Sequence, residues 1–521
     1  MRIPVLRASR AVGAAGVVIL GGLAGSGAAA DASPAGVARL VTAGQPGAAI
    51  AGSRLTATAV TTDATVSAGA WGNAIEVPGT ASLNVGGNAR VVSMSCPTRG
   101  YCAAGGSYGA AAGDRIITQA FVVSRRHGRW GRALKVPGLA KLPAIASGIA
   151  QVSCASAGNC AAGGVYVDNA GDNHAFIVSE RDGNWGNAFQ VAGALNAAGN
   201  ASVGSVSCPS AGNCDAAGHY GGPGISNTQA FVVRQRNGRW GNAFEVPGTA
   251  ALNSSNGAGV SSISCPSAGN CSAGGGYVDA GGLAQAFVAS QRDGRWSPAV
   301  EVPGLAVLNG GGDALVTSMS CPSAGNCAAG GYYESADSHW HAFVVSQRRG
   351  TWGTAAKVVG TDSVPGPAPV GPAAAVNSVS CPAVGNCAAA GYYTDGSGRV
   401  QAFVAGQRNG RWGKKIEVPG TAALNRGGRA AVLSVSCPSA GSCAAAGYYT
   451  DGHGHFQAFA VGQLNGRWLT AIEVPGTAAL NAAGSAALNS VSCPAAGRCS
   501  AGGAYKGRSG NLQAFVVSQK P

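Results

Sequence analysis

Ser205-Val206-Ser207-Cys208-Pro209-Ser210-Ala211-Gly212-Asn213-Cys214-Asp215-Ala216-Ala217-Gly218-His219-Tyr220 opens a unit that decides the fold. The unit continues through Gln229-Ala230-Phe231-Val232-Val233 and Arg236-Asn237-Gly238-Arg239-Trp240 to Glu245-Val246-Pro247-Gly248. Blocks of this kind, roughly 54–60 residues long, carry eight copies of the Cys-x5-Cys element. The first recognisable piece, Trp71 to Pro78, is the tail of a block without a head. The last, ending Phe515-Val516-Val517-Ser518-Gln519, is a head without a tail. Independent beads have no reason to be cut this way. A closed ring does, because it joins the two partial ends into one blade.

Four short strands fit each unit: Val-x-Ser-Val-Ser-Cys, Cys-Ala-Ala-Gly-Gly-Tyr, Gln-Ala-Phe-Val-Val-Ser-Gln and Trp-Gly-x-Ala-x-Glu-Val-Pro. A five-residue loop lets the two cysteines face each other across the first pair. Asn237-Gly238 and its counterparts form two-residue hairpin turns between the third and fourth strands. Centring the register on that turn places Phe231 opposite Phe244, Phe121 opposite Leu134, Phe176 opposite Phe189 and Phe287 opposite Val300. It likewise pairs Phe403 with Ile416 and Phe459 with Ile472. At the ring closure it sets Ile75 against Phe515. Phe343 meets only Ala356, so that blade is expected to pack less well. Small residues crowd the first two strands and large ones the outer two, as a wedge-shaped blade requires. Four strands of this size cannot bury both faces alone, so neighbours must stack. The expected fold is all-β, an eight-bladed β-propeller over 71–521; the rival is a string of disulfide-stapled modules.

The cysteines fall into eight local pairs with none left over. They are Cys96 with Cys102, Cys154 with Cys160, Cys208 with Cys214, Cys265 with Cys271, Cys321 with Cys327, Cys381 with Cys387, Cys437 with Cys443 and Cys493 with Cys499. An even set at fixed spacing reads as one disulfide per blade in an exported chain. Zinc is a poor fit, because Cys-x5-Cys is not a finger spacing and no histidine accompanies each pair. Residues 1–30 read as a secretory signal: Arg2, Arg7 and Arg10, an apolar stretch, then Ala28-Ala29-Ala30. The apolar part is too short and glycine-rich to span a membrane. Residues 31–70, rich in Ala, Thr and Gly, read as a linker. The formal charge of +14 falls by three when the leader is removed. Nucleic acid is not expected as a partner of an exported chain, nor are a cofactor or a metal, and the closed ring is expected to be a monomer.

The Ser-Cys-Pro-Ser-x-x-x-Cys-x-Ala-x-Gly element, as in Ser207 to Gly218, resembles serial repeats of uncharacterised secreted proteins of actinomycete type. That resemblance covers residues 71–521 and implies a propeller-like structure rather than an activity. The turn before each Trp is similar to the Asp-box of sialidase-like propellers, with an acidic or amide residue three before the indole, as in Asp182 and Trp185. Kelch-type propellers share a Gly-Gly and a Trp per blade.

Catalytic signals are sparse. Asp114, Asp168, Asp279, Asp337, Asp395 and Asp451 recur at equivalent turns beside glycines, which is how turn formers behave. The pairs His339/His341 and His453/His455 lie at exposed turns, with Trp340 an off-pattern aromatic. Two features recur in every unit. One is a tyrosine six residues after the second cysteine: Tyr108, Tyr166, Tyr220, Tyr277, Tyr333, Tyr393, Tyr449 and Tyr505. The other is Gln or His two residues before each Phe. Full repetition favours a structural role; a ring of stacking groups for glycan is the functional alternative. The hairpins around each Trp concentrate cations, among them Arg236, Arg239, Arg408 and Arg411, against only Glu180, Asp182 and Asp293. They form a solvated rim or a collar for anionic polymer. The opposite face offers loop asparagines such as Asn84, Asn253, Asn425 and Asn481. The sequence therefore points to a secreted non-enzymatic scaffold for anionic cell-wall or extracellular glycan. The alternative is an extracellular carbohydrate-active enzyme, a sialidase-like hydrolase or a lyase. The divergent 359–375 connection marks where a blade could have acquired a role.

Overall fold

Alternating apolar residues, punctuated by Gly turns, fold each repeat into a small antiparallel sheet. In the third repeat the strands are Ser202–Ser210, Asn213–Gly221, Thr228–Arg236 and an outer strand in two pieces, Arg239–Trp240 and Phe244–Glu245. The computed structural model describes residues 69–196, 198–221, 228–254, 257–362 and 372–520. The expected leader, nearly all of the expected linker and residues 363–371 of the divergent connection lie outside them. Eight such sheets form an eight-bladed β-propeller. Blade 1 begins at Arg90–Thr98, and blade 8 consists of Ala487–Ser492, Ser500–Lys506, Leu512–Ser518 and, from the other end of the chain, Ile75–Glu76. The ring closes as the cut repeats required.

The Ser-Val-Ser-Cys motif supplies the inner seam. In blade 4 the backbone N–H groups of Ile263 and Cys265 donate to the hydroxyls of Ser205 and Ser207 in blade 3, at 3.0 and 2.9 Å. The same two bonds recur at each of the eight seams, with Gln151 standing in for one serine. At the closure Met94 and Cys96 donate to Ser490 and Ser492. The innermost strand of a blade would otherwise present unpaired donors to the axis. Serine hydroxyls from the preceding blade satisfy them.

All eight disulfides are local, with Cα–Cα separations of 4.0–4.1 Å. Cys102 is bonded to Cys96, Cys160 to Cys154, Cys214 to Cys208 and Cys271 to Cys265. Cys327 is bonded to Cys321, Cys387 to Cys381, Cys443 to Cys437 and Cys499 to Cys493. The second cysteine of each pair is buried, Cys102, Cys160, Cys443 and Cys499 included. These sulfurs therefore belong to the framework and offer nothing to a ligand. Blade 8 differs in detail. Its first strand ends at Ser492 and its second begins at Ser500, so Cys493 and Cys499 stand just outside the paired strands that the sequence pattern assigned them to. The Cys499 N–H is satisfied instead by the Gln519 side-chain oxygen, at 2.8 Å.

Four residues beyond the second cysteine, every blade has a glycine. A Cβ at Gly218 would lie 1.9 Å from the Ser202 carbonyl oxygen, and its seven counterparts meet a carbonyl at 1.8–1.9 Å. The cause is a one-residue register shift in the facing strand, between Val203 and Ser205, which pushes that backbone toward the glycine.

The register of the outer hairpin differs from expectation by one residue. Arg236 faces Arg239 across the turn as anticipated, but Phe231 faces Glu245 and Phe244 faces Val232. An extra residue after Gly241, whose N–H still bonds the Arg234 oxygen, produces the shift. A slip of one residue moves a side chain to the other face. Phe231 is accordingly fully buried, whereas Phe244 is 39% exposed. The same correction applies to the other blades: Phe121 faces Lys135, Phe176 Gln190, Phe287 Glu301, Phe403 Glu417 and Phe459 Glu473. At the closure Ile75 faces Val516 and Glu76 faces Phe515. Phe343 faces Lys357 and is as buried as its counterparts, so its blade packs no worse than the rest.

Two tests follow from this architecture. Removing residues 71–78 takes the fourth strand from blade 8 and leaves an open ring. The shortened chain is expected to melt at lower temperature and to associate, read by calorimetry and sedimentation; unchanged melting of a monomer would contradict closure. Gly218→Ala drives a methyl into a backbone carbonyl and is expected to destabilise by about 1–3 kcal/mol. Gly100→Ala, with nothing within 4 Å of the added carbon, serves as the neutral control in the same denaturant titration.

Candidate functional site

The third-to-fourth-strand turns carry the cations, and their backbone requires particular residues. The first turn residue has φ of 47–50° and the following glycine 78–89° in all seven hairpins. Both are left-handed, as the tightest two-residue hairpin demands. The turn glycine's N–H bonds the loop between the cysteines of its own blade, as from Gly238 to Gly212 at 2.7 Å and from Gly410 to Gly385 at 2.8 Å. Disulfide loops and cationic turns therefore share one face.

The arginine just before each turn reaches the next blade. Arg408 Nη2 donates to the Gly466 oxygen at 3.0 Å, and Arg348 Nη2 to the Asn409 oxygen at 3.4 Å. Arg126, Arg181, Arg236 and Arg292 likewise approach Gly183, Gly238, Gly294 and Gly350, near where a side chain would project from the glycine. Blade 7 has Leu464 at this position. Its neighbour, blade 8, draws its fourth strand from the other end of the chain and has no such turn to receive an arginine.

Four blades place two arginines directly across the hairpin: Arg126–Arg129, Arg236–Arg239, Arg292–Arg295 and Arg408–Arg411. All eight are exposed. Like charges directly opposite on a sheet are unfavourable unless something anionic lies between them. The pairs named from sequence, Arg236/Arg239 and Arg408/Arg411, thus sit side by side on one exposed face.

The recurrent tyrosines are not a stacking ring. All eight are buried. The Tyr220, Tyr277, Tyr449 and Tyr505 hydroxyls donate to Glu245, Glu301, Glu473 and Glu76 of the outer strands, at 2.8–3.2 Å. Tyr166 donates to Gln190 at 3.0 Å, and Tyr108 and Tyr333, where the outer strand carries Lys135 and Lys357, are buried in the same way. Tyr393 lies beneath the Lys415 ammonium, 3.5 Å from the ring centroid. Burial pushes the Tyr108, Tyr333 and Tyr393 hydroxyls up to about 12, so they stay neutral. Their sequence signal was real, but it marked a wall of the blade.

The opposite face is equally committed. Asp279 accepts the N–H groups of Gly281 and Leu283 on one oxygen and Gln285 on the other; Asp168, Asp395 and Asp451 do the same with their own turns. Asn309, Asn425 and Asn481 donate back to the same glutamines, and Asn84 to Gln513, at 2.8–3.1 Å. Asn84, Asn253, Asn425 and Asn481 are buried, which corrects their reading as sugar-facing loop residues. His341, expected at the surface, is buried at the glutamine position, and Trp340 packs edge-on against Tyr332 at 5.5 Å. Asp215 lies near Cys265 and Cys271, but those sulfurs are joined to each other, and Asp215 instead pairs with Arg234 at 3.1 Å.

One seam departs from the repeat. Blade 2 has Glu180 where the six blades after it have glutamine, and blade 1 has Tyr101 where asparagine is usual. The buried carboxylate accepts from the Tyr101 hydroxyl, from Ser124 Oγ at 3.0 Å, and lies 3.7 Å from Arg126. Trp185 Nε1 donates to the same Ser124 at 3.2 Å. Burial pushes the Glu180 carboxyl above its ordinary value, against the downward pull of Tyr101, Ser124 and Arg126. Above this cluster lies an open cleft of about 520 Å³ between the outer edges of blades 1 and 2, lined by Arg126, Arg129, Trp130, Arg132, Leu134 and Trp185. The sequence by itself marks Glu180 only as a rim charge. Its departure from the glutamine column was the available signal.

No protein-family model matches the chain, and no curated protein matches it. Solved structures with backbone likeness include a protein of unknown function from Dyadobacter fermentans, at 12% identity over 61% of this chain and 94% of that one, TM-score 0.31. A microbial sialidase matches at 10% identity over 86% of this chain and 68% of its own, TM-score 0.33. An ulvan lyase matches at 10% identity over 86% and 94%, TM-score 0.41. The fold assignment rests on this chain's own sheets.

Glu180→Gln tests the odd seam. A raised carboxyl pKa means that the fold favours the neutral acid, so its contribution is greatest below the ordinary value and is lost as pH rises. The glutamine variant is expected to gain stability relative to the parent from pH 5 to pH 8, read as the difference in denaturation midpoints. A difference that does not grow with pH would contradict the burial effect.

Proposed function

We propose that this chain is an extracellular, non-enzymatic binding scaffold whose arginine face takes anionic glycan polymer of the cell wall or the extracellular matrix. The observation that carries this reading is the set of four exposed arginine pairs facing each other across hairpins on one face. Charges placed only for solubility need not oppose each other in register, whereas a polyanion lying across the turns relieves the repulsion. Repetition around a ring lets one polymer engage several blades, which multiplies weak contacts into useful retention. Eight closed disulfides suit an oxidising compartment, in keeping with the secretory leader read from residues 1–30. Among the described residues no helix is long and apolar enough to cross a membrane.

An enzyme of sialidase-like or lyase type needs unlike acids free to converge on a substrate. Asp168, Asp279, Asp395 and Asp451 are each occupied by their own turn, which favours the scaffold.

The test is retention of the purified chain on polygalacturonate and on isolated cell wall. Exposed contacts weaken as the Debye length falls from about 10 Å at 0.1 M salt to about 3 Å at 1 M. Retention is expected to collapse over that range, and to fall in a variant with Arg236, Arg239, Arg408, Arg411 and Lys414 changed to Gln. Retention indifferent to both would leave the face as ordinary solvated surface.

A further inference from the structure

Three departures from the repeat converge on one seam. Tyr101 and Glu180 form its floor. The third is Arg132, two residues beyond the blade 1 tryptophan, where the other blades carry Asn187, Asn242, Pro298, Thr354, Lys414, Thr470 and Asn73. Arg132 brings a third guanidinium to a cleft that already holds Arg126 and Arg129. Two indoles, Trp130 and Trp185, and the half-exposed Leu134 supply apolar surface beside them.

We infer that the blade 1–blade 2 cleft is a discrete subsite for one uronic-acid residue of a polysaccharide, its pyranose ring against the indoles and its carboxylate held by the arginines. This inference deepens the arginine-face reading and rests on it. The chemistry follows from the mixture of groups. An indole face offers apolar area to the C–H face of a sugar, and a pocket of mainly apolar walls with a few placed polar groups suits a small ring. Guanidinium forks match the planar carboxylate in bidentate fashion. Having both kinds of group in one cleft requires a ligand whose negative charge sits on the ring that stacks. A uronate carries its carboxylate on the pyranose itself, whereas a polyol phosphate chain has no ring to place there.

The floor explains why this seam differs. Glu180, fixed by Tyr101 and Ser124, lies 3.7 Å from the Arg126 guanidinium and holds it toward the cleft, while half of that side chain remains exposed. Ser124 also accepts the Trp185 indole N–H, so one hydroxyl ties the acid to the aromatic wall. Among the described residues Arg129 and Arg132 have no ion pair, leaving two guanidinium groups for a ligand. Glu180 acts here as a positioning residue.

The full chain titrated with trigalacturonate in a calorimeter at low salt is expected to show one site. Arg132→Gln and Trp130→Leu should each weaken it at least tenfold, with melting temperatures unchanged for the exposed Arg132 variant. Arg426→Gln, on the opposite face, should leave it unaltered, and the fully methyl-esterified trimer should bind at least tenfold more weakly. If Trp130→Leu misfolds, Arg129→Gln replaces it. Trimer binding that survives Arg132→Gln and Arg129→Gln, no trimer binding at all, or tighter binding of a glycerol-phosphate oligomer would each overturn the subsite. Salt-sensitive retention on polygalacturonate, measured in parallel, reports on the arginine-face reading separately: polymer retained without a trimer site removes the subsite alone, and polymer not retained removes both.

Discussion

The ring depends on the bond between a serine hydroxyl and the backbone N–H of the next blade's innermost strand. Two such bonds cross every seam, including the one where the chain's ends meet. A propeller blade has an unavoidable weakness at its inner edge, where no further strand can pair. Burying those donors unsatisfied costs on the order of 1–3 kcal/mol each. The alternation Ser-Val-Ser-Cys answers this with one face of a strand: its serines serve the following blade, while the backbone of its Val and Cys positions is served by the preceding one. Any blade is thus both donor and acceptor, and the arrangement is complete only when the circle is.

The outer edge has its own seam, built from different chemistry. There the arginine before each turn rests on the glycine of the following turn, which therefore meets two demands, a left-handed φ and an empty side-chain position. Between the two edges lie the buried tyrosines, which in blades 3, 4, 7 and 8 bond a glutamate and so tie the second strand to the fourth. The inner seam is neutral and at least half-buried; the outer one is cationic and exposed. Charge is therefore concentrated at the edge that the fold leaves in reach of solvent.

Repetition and departure from repetition carry different information in this protein. Residues present in every blade, such as the tyrosines, prove to be framework, because eight equal positions solve the same packing problem. Residues that break a column, such as Glu180, Tyr101, Arg132 and Leu464, mark places where the local environment is unique. Leu464 is explained by a missing neighbouring turn. The other three meet at a single cleft.

Much was legible from the chain alone. Blade number, the local disulfides and the ring closure follow from covalent spacing and from the cut repeat, which are properties of order along the sequence. The hairpin register was legible only as far as Trp240, because the extra residue after Gly241 leaves no mark in a pattern of alternating apolar residues, and it reverses which of Phe231 and Phe244 is buried. The direction of a side chain across a seam is likewise invisible in sequence. Arg408 reads as a surface charge until Gly466 of the next blade is placed beside it. The tyrosines read as a possible platform until burial shows otherwise. The serine and arginine contacts between blades join residues more than fifty positions apart, so their partners are set by the curvature of the ring, which only the folded structure fixes.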